Sequence, residues 1–314
     1  MMLFLLFLLP LATALAVMPW LKKAAVRYKF VDIAEGDELK IHKVPVSYLG
    51  GVGMLLGIGM GLILAGAVYP HLAWQFTGVY LAGFLVFAFG FWDDWKWKHI
   101  TQRKPMQKLA LVVAVQLGMA ALLLAGGIRP EFVLSFIPSL LVSFGALFII
   151  SNAMNFQDGM DGLAGTLAAI SLVGFLVLSL FQGLVLISLL SLIGLGAVAG
   201  FLRFNFPPAS IFMGDSGAYL LGSLLAILVL LIPFLDTWTG LLGVIFLVGV
   251  PVFESFWSLG RRILGRTAFI LGDRGHVYDI LLQKGYPTRM VLAIFAGAQV
   301  FSVIAGILIL NLEL

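Results

Sequence analysis

The sequence predicts an all-α polytopic membrane protein: about ten transmembrane helices in a single domain over residues 1–314, both termini outside, and polar loops on the cytoplasmic face. Three observations predict it. The 314 residues are 61% hydrophobic and only 11% charged, where a soluble domain carries about 25% charged residues. Apolar stretches recur at the length that crosses a bilayer core, about 20 residues. The basic residues fall almost entirely into alternate loops between those stretches.

In order along the chain, the spans read as 1–20, 48–69, 74–92, 109–127, 132–151, 163–181, 184–201, 217–234, 238–257 and 290–311. The first has no basic residue before it and is followed by Lys22, Lys23, Arg27 and Lys29. Although Ala14-Leu15-Ala16 resembles a signal-peptidase site, that polarity suits an uncleaved span with its N-terminus outside. The inside loops are then 21–47, 93–108, 152–162, 202–216 and 258–289. Of the 19 Lys and Arg residues, all except Arg129 lie in them. A missed or invented span would scramble this segregation, so the charge pattern and the span count support each other. The net charge of +4 therefore marks a membrane surface, and no nucleic-acid partner is expected. The absence of cysteine excludes disulfides and thiolate metal sites. Most of the 36 glycines lie in spans; Gly57, Gly59 and Gly61 read as close helix contacts.

Every inside loop carries residues capable of chemistry. Gly90-Phe91-Trp92-Asp93-Asp94-Trp95-Lys96 sets two adjacent carboxylates at the end of the third span; they can hold a divalent ion, act as a base, or be ordinary interfacial residues. Asn152-Ala153-Met154-Asn155-Phe156-Gln157-Asp158-Gly159-Met160-Asp161-Gly162 spaces Asn155, Asp158 and Asp161 three apart, on one face if the loop is helical. It lacks the alternating ligands and terminal Glu of a calcium loop. Asn205-Phe206-Pro207-Pro208 leads to Phe212-Met213-Gly214-Asp215-Ser216-Gly217, where Asp215 precedes the eighth span as a magnesium ligand or a helix N-cap, and Phe212 stacks on a base or packs. Gly272-Asp273-Arg274-Gly275-His276-Val277-Tyr278-Asp279 offers Arg274 and His276 to phosphate. His42-Lys43-Val44-Pro45, followed by Gly50-Gly51, brings Lys43 to the same boundary. Together these residues form an inventory for gripping a diphosphate and a metal beside a membrane.

In this order, over about residues 40–285, these motifs resemble the polyprenyl-phosphate N-acetylhexosamine-1-phosphate transferases, the MraY/WecA-type superfamily of glycosyltransferase family 4, and its WecA-like branch in particular. The resemblance implies transfer of N-acetylhexosamine-1-phosphate, GlcNAc-1-phosphate first, from a UDP-N-acetylhexosamine to undecaprenyl phosphate. UMP is released, and a cell-envelope glycan is begun at the inner (plasma) membrane. It implies Mg²⁺ or Mn²⁺, with Asp215 as the metal ligand. Asp93 would orient or deprotonate the lipid phosphate, with Asp94 beside it, and Asp158 and Asp161 would hold nucleotide or metal-bound water. Lys43, Lys108, Asn152, Asn155 and Asn205 would bind the substrates, Phe212 would lie near the uracil, and Arg274 and His276 would contact the nucleotide-sugar. A homodimer is a further expectation.

One stretch departs from the pattern. Where many WecA-type members carry more histidines, this chain reads His276-Val277-Tyr278-Asp279, and the triple-histidine run of the MraY branch is missing. That argues against a muramoyl-pentapeptide donor and leaves the hexosamine open, with N-acetylfucosamine and N-acetylquinovosamine as alternatives. The competing class is a transporter or ion pathway. It expects polar residues near mid-span and often inverted repeats; here the spans are nearly charge-free, with Glu254 the closest exception.

Overall fold

Chains of apolar residues in a bilayer must satisfy their backbone internally, so they fold as helices. The computed structural model describes residues 2–32, 46–97, 105–133, 135–233, 235–264 and 275–311. Its helices are α1 (Met2–Arg27), α2 (Gly50–Val68), α3 (Ala73–Trp92), α4 (Pro105–Ala125), α5 (Phe136–Gln157), α6 (Leu163–Gln182), α7 (Val185–Asn205), α8 (Gly214–Leu230), α9 (Trp238–Leu247), α10 (Gly249–Leu264), α11 (Val277–Gln283) and α12 (Thr288–Leu310). Among the described residues, eight helices are long and apolar enough to cross a membrane. The protein is an all-α polytopic membrane protein.

The ten expected spans correspond to those eight helices, to α8, and to the pair α9 and α10. At 17 residues α8 is short for a span, and it is buried along almost its whole length. It packs against α2, α3 and α5, while α1 lies against α2 and α7, and α12 against α6 and α9. The central helix thus meets protein along nearly its whole length. The glycines of α2 let its neighbours close in. A Cβ on Gly61 would stand 2.7 Å from Ile193 Cγ2, and one on Gly57 2.9 Å from the Pro10 carbonyl oxygen.

The ninth span departs from the continuous helix expected over 238–257. It breaks between Leu247 and Gly249, and α10 leaves α9 at a bend of 92°. Breaking a helix in apolar surroundings strips backbone groups of their partners, and side chains of α12 replace them. Gln299, fully buried, accepts from the Val250 N–H at 2.9 Å and donates to the Leu247 carbonyl at 3.0 Å and to Ser171 Oγ at 3.0 Å. Ser302 Oγ donates to the Phe246 carbonyl at 2.7 Å. Pro251 falls in the first turn of α10, where its missing N–H costs least. Beyond the break α10 is amphipathic. It buries Glu254, Ser258 and Arg262 and exposes Phe253, Phe256 and Trp257.

Two further boundaries move. The first helix runs on to Arg27, so Lys22 and Lys23 are helical, and α8 begins at Gly214, placing Asp215 inside its first turn. Two short antiparallel strands, β1 (Val31–Asp32) and β2 (Val46–Ser47), add a feature the all-helical reading did not foresee. Ser47 also bridges to Ile211, and its carbonyl accepts the Phe212 N–H at 2.7 Å, which ties the first loop to the fourth.

Candidate active site

The end of α3, the start of α4, the end of α5 and the start of α8 converge on one point. Asp93 follows α3 directly and is only 3% exposed. Lys108, in the first turn of α4, donates to Asp93 Oδ2 at 2.5 Å and to Asp215 Oδ2 at 3.3 Å. Asn155, in the last turn of α5, donates through Nδ2 to Asp215 Oδ1 at 3.0 Å. One ammonium thus spans two carboxylates from different helices, and an amide steadies the second.

Asp94 faces the same helix end differently. Its Oδ1 accepts the Asp215 N–H at 3.0 Å and its Oδ2 the Ser216 N–H at 3.1 Å. The first N–H groups of a helix have no partner within it, and Met213 at the cap position offers no side-chain bond. Asp94 therefore caps α8 from a neighbouring helix. Asp215, named above as a possible N-cap, is instead the residue whose backbone is capped. The approach depends on two glycines. A Cβ on Gly90 would lie 2.6 Å from the Ser216 nitrogen. Gly214 has φ near +70°, which favours glycine.

The third and fourth loops are sewn together beside this point. Helix α5 ends at Gln157, so Asn155, Asp158 and Asp161 do not share a helical face. Asp158 lies at the helix end, half-buried, and the chain then turns so that Asp161 Oδ2 accepts the Ala209 N–H at 2.8 Å. Asn205 is buried, with Oδ1 accepting the Gly162 N–H at 3.0 Å and Nδ2 donating to the Ile211 carbonyl at 2.9 Å. Both ends of its amide hold loops to one another. Asn152 donates within its own helix, to the Phe148 carbonyl at 2.7 Å. Phe212 is half-buried, its ring tilted against Tyr48 at 6.5 Å.

The fifth loop arrives through His276, which is 5% exposed. Its ring stacks on Tyr278 at 5.3 Å and lies 5.8 Å from the ring of Phe156. The Tyr278 hydroxyl donates to the Phe156 carbonyl at 3.2 Å, and the Arg262 guanidinium sits 5.8 Å over the Phe156 ring. Lys43 and Arg274 lie outside the described residues.

The electrostatics favour a cation with anionic ligands. Asp93 and Asp215 both reach Lys108, Asp94 accepts from the Asp215 N–H beside them, and Asp93 Oδ1 is buried with no hydrogen-bond partner among the described residues. Among the described residues no group of three or more His, Asp or Glu side chains forms a ready-made metal cage. Magnesium does not require one: it is commonly held by one or two carboxylates, with phosphate oxygens and water completing the shell. Asp215, the more open of the Lys108-bound carboxylates, fits that mode, with Asp93 as its neighbour.

The profile of glycosyl transferase family 4 matches residues 76–232, which contain this whole carboxylate–lysine assembly. A probable undecaprenyl-phosphate N-acetylglucosaminyl 1-phosphate transferase of Bacillus subtilis is 31% identical over 315 residues, covering 96% of this chain and 84% of that protein. The chain belongs to glycosyl transferase family 4. Other family 4 relatives include a decaprenyl-phosphate N-acetylglucosaminephosphotransferase of Mycolicibacterium smegmatis, 32% identical over 88% of this chain and 74% of its own length. A phospho-N-acetylmuramoyl-pentapeptide-transferase of Thermotoga maritima is 30% identical over 88% of each chain.

Sequence reasoning passed over several residues that the fold brings next to the fifth loop and the end of α5. Tyr278 was read only as a missing histidine, Phe156 was not singled out, and Glu254 was noted only as a charge within a span. The signals were present, an acid inside an apolar run and aromatics inside a polar motif, but their partners are more than 20 residues away in sequence and meet only in the fold.

Proposed function

We propose that this chain transfers an N-acetylhexosamine-1-phosphate, GlcNAc-1-phosphate first, from a UDP-sugar to undecaprenyl phosphate at the cytoplasmic face of the plasma membrane. The products are undecaprenyl-diphospho-sugar and UMP. The observation that carries the reading is the Asp93–Lys108–Asp215–Asn155 assembly at the ends of four membrane helices. The names of the Bacillus and Mycolicibacterium relatives support the sugar and the polyprenyl class of acceptor. The missing histidines favour them over the muramoyl-pentapeptide relatives.

In this reading a phosphate oxygen of the acceptor bonds to the β-phosphorus of the donor. The bond from that phosphorus to the bridging oxygen breaks, and UMP leaves with the electron pair. Both reactants are anions, so the chain's main task is to offset repulsion and hold the groups in line. Lys108 supplies fixed positive charge between Asp93 and Asp215. Asp93 directs the acceptor phosphate; that group is already largely ionised at neutral pH, with a second pKa of about 6, so Asp93 acts mainly by position. Asp215, steadied by Asn155, would hold Mg²⁺ or Mn²⁺, which when bound neutralises charge on the diphosphate.

Purified protein is expected to release UMP from UDP-GlcNAc only when undecaprenyl phosphate and Mg²⁺ are both present. A panel of UDP-sugars identifies the hexosamine, and no UMP from any of them overturns the reading. Asp215→Ala is expected to abolish turnover in a folded protein. A topology reporter at Asp236 is expected outside; a cytoplasmic signal there overturns the orientation.

A further inference from the structure

We infer that Glu254 is a positioning residue for the donor half of the site, anchoring the start of α11 to α10 so that His276 and Tyr278 remain clamped on Phe156. The inference rests on the transferase reading for its kinetic consequence, but its geometry stands apart from that reading.

Glu254 is only 2% exposed, on the inner face of α10. A buried carboxylate is costly unless donors meet it. Here the Val277 N–H, the first of α11, reaches Oε1 at 3.2 Å and Oε2 at 3.4 Å. His276 Nδ1 stands 3.4 Å from Oε2, close enough for an ion pair when the ring is protonated but not aligned as a hydrogen bond. The backbone contact is therefore the firmer anchor, and the ring contact follows from it.

What the anchor holds is specific. His276 and Tyr278 stack on each other, the His276 ring meets Phe156, and the Tyr278 hydroxyl binds the Phe156 carbonyl. A side chain at Gly159 would overlap that same hydroxyl, so the turn after Asp158 is shaped around Tyr278. Phe156 follows Asn155, whose amide holds Asp215. Contacts therefore run without a gap from Glu254 through the fifth loop to the end of α5 and on to the carboxylate assigned to the metal. The bend in span nine points α10, and Glu254 with it, at this loop.

The test uses Glu254→Ala and Glu254→Gln in nanodiscs, each checked for wild-type melting. Diethylpyrocarbonate labels exposed histidines, and His71, which is exposed, serves as the internal reference. Labelling of His276 relative to His71 is expected to rise about tenfold or more in Glu254→Ala, as a buried charged hydrogen bond is lost. It is expected to rise less in Glu254→Gln, whose carbonyl still accepts from Val277. With UDP-GlcNAc and undecaprenyl phosphate, the donor KM is expected to rise about tenfold while the acceptor KM stays within about twofold, as for lost binding of one substrate. Unchanged His276 labelling in Glu254→Ala overturns the inference, as does a fall in kcat with both KM values unchanged. Raised labelling in a protein whose wild type releases no UMP supports the anchor and sinks the transferase reading alone.

Discussion

Asp94 and Asp93 are adjacent in sequence, yet the structure gives them different tasks, and substitution at Asp94 tests that division. Both oxygens of Asp94 accept from the first turn of α8, at 3.0 and 3.1 Å. A hydrogen bond to a charged group contributes about 1.5–3 kcal/mol. Asp94 is half-buried, so the lower end applies, and Asp94→Ala should cost about 2–4 kcal/mol. Asp94→Asn keeps one acceptor without the charge and should cost about 1–2 kcal/mol. With its cap gone the first turn frays, and Asp215 rides on that turn. A displacement near 1 Å costs about 100-fold in turnover, so Asp94→Ala should lose about that much and Asp94→Asn about tenfold. The assays are UMP release and thermal unfolding in nanodiscs. Asp94→Ala with wild-type melting and turnover would refute the capping argument. So would Asp94→Asn as inactive as Asp94→Ala in a fully stable protein, since that result makes the charge itself part of the chemistry.

Lys108→Met strands buried Asp93 beside Asp215; it should lower stability by about 2–4 kcal/mol, less than a fully buried pair because Lys108 and Asp215 are partly exposed, and should abolish turnover, with melting and UMP release as the measurements. Gln299→Leu removes partners from the Val250 N–H and the Leu247 carbonyl; at about 1–3 kcal/mol for each orphaned group, the folded yield and melting temperature should drop sharply. Gly159→Ala should lose activity through overlap with the Tyr278 hydroxyl, and Tyr278→Phe should restore part of it; no restoration would mean that the strain lies elsewhere.

The membrane class, the helices and their approximate ends were legible because each is a local property: about 20 apolar residues must form a helix in lipid, whatever their neighbours. The chemistry-bearing residues were legible for a related reason. Charge at a membrane boundary is sparse, so Asp93 and Asp215 stood out against their surroundings; Asn155 stood out by its spacing from Asp158 and Asp161, and Lys108 was named only through the family resemblance. Their partnerships were not legible. Lys108 meets Asp215 across 107 positions and Asp94 caps α8 across 121; no spacing rule reaches so far. Asn205 shows the same limit, since a buried asparagine looks alike in sequence whether it binds substrate or joins two loops. The break in span nine was half written, in Gly249 and Pro251, but an apolar run of that length reads as one helix until Gln299 is known to face it. The sequence by itself determined the membrane class and the apolar helical segments, because hydropathy acts residue by residue. Only the tertiary structure decided which carboxylate holds Lys108, which caps a helix and which anchors a loop. Those roles depend on hydrogen-bond distances between helices far apart in the chain.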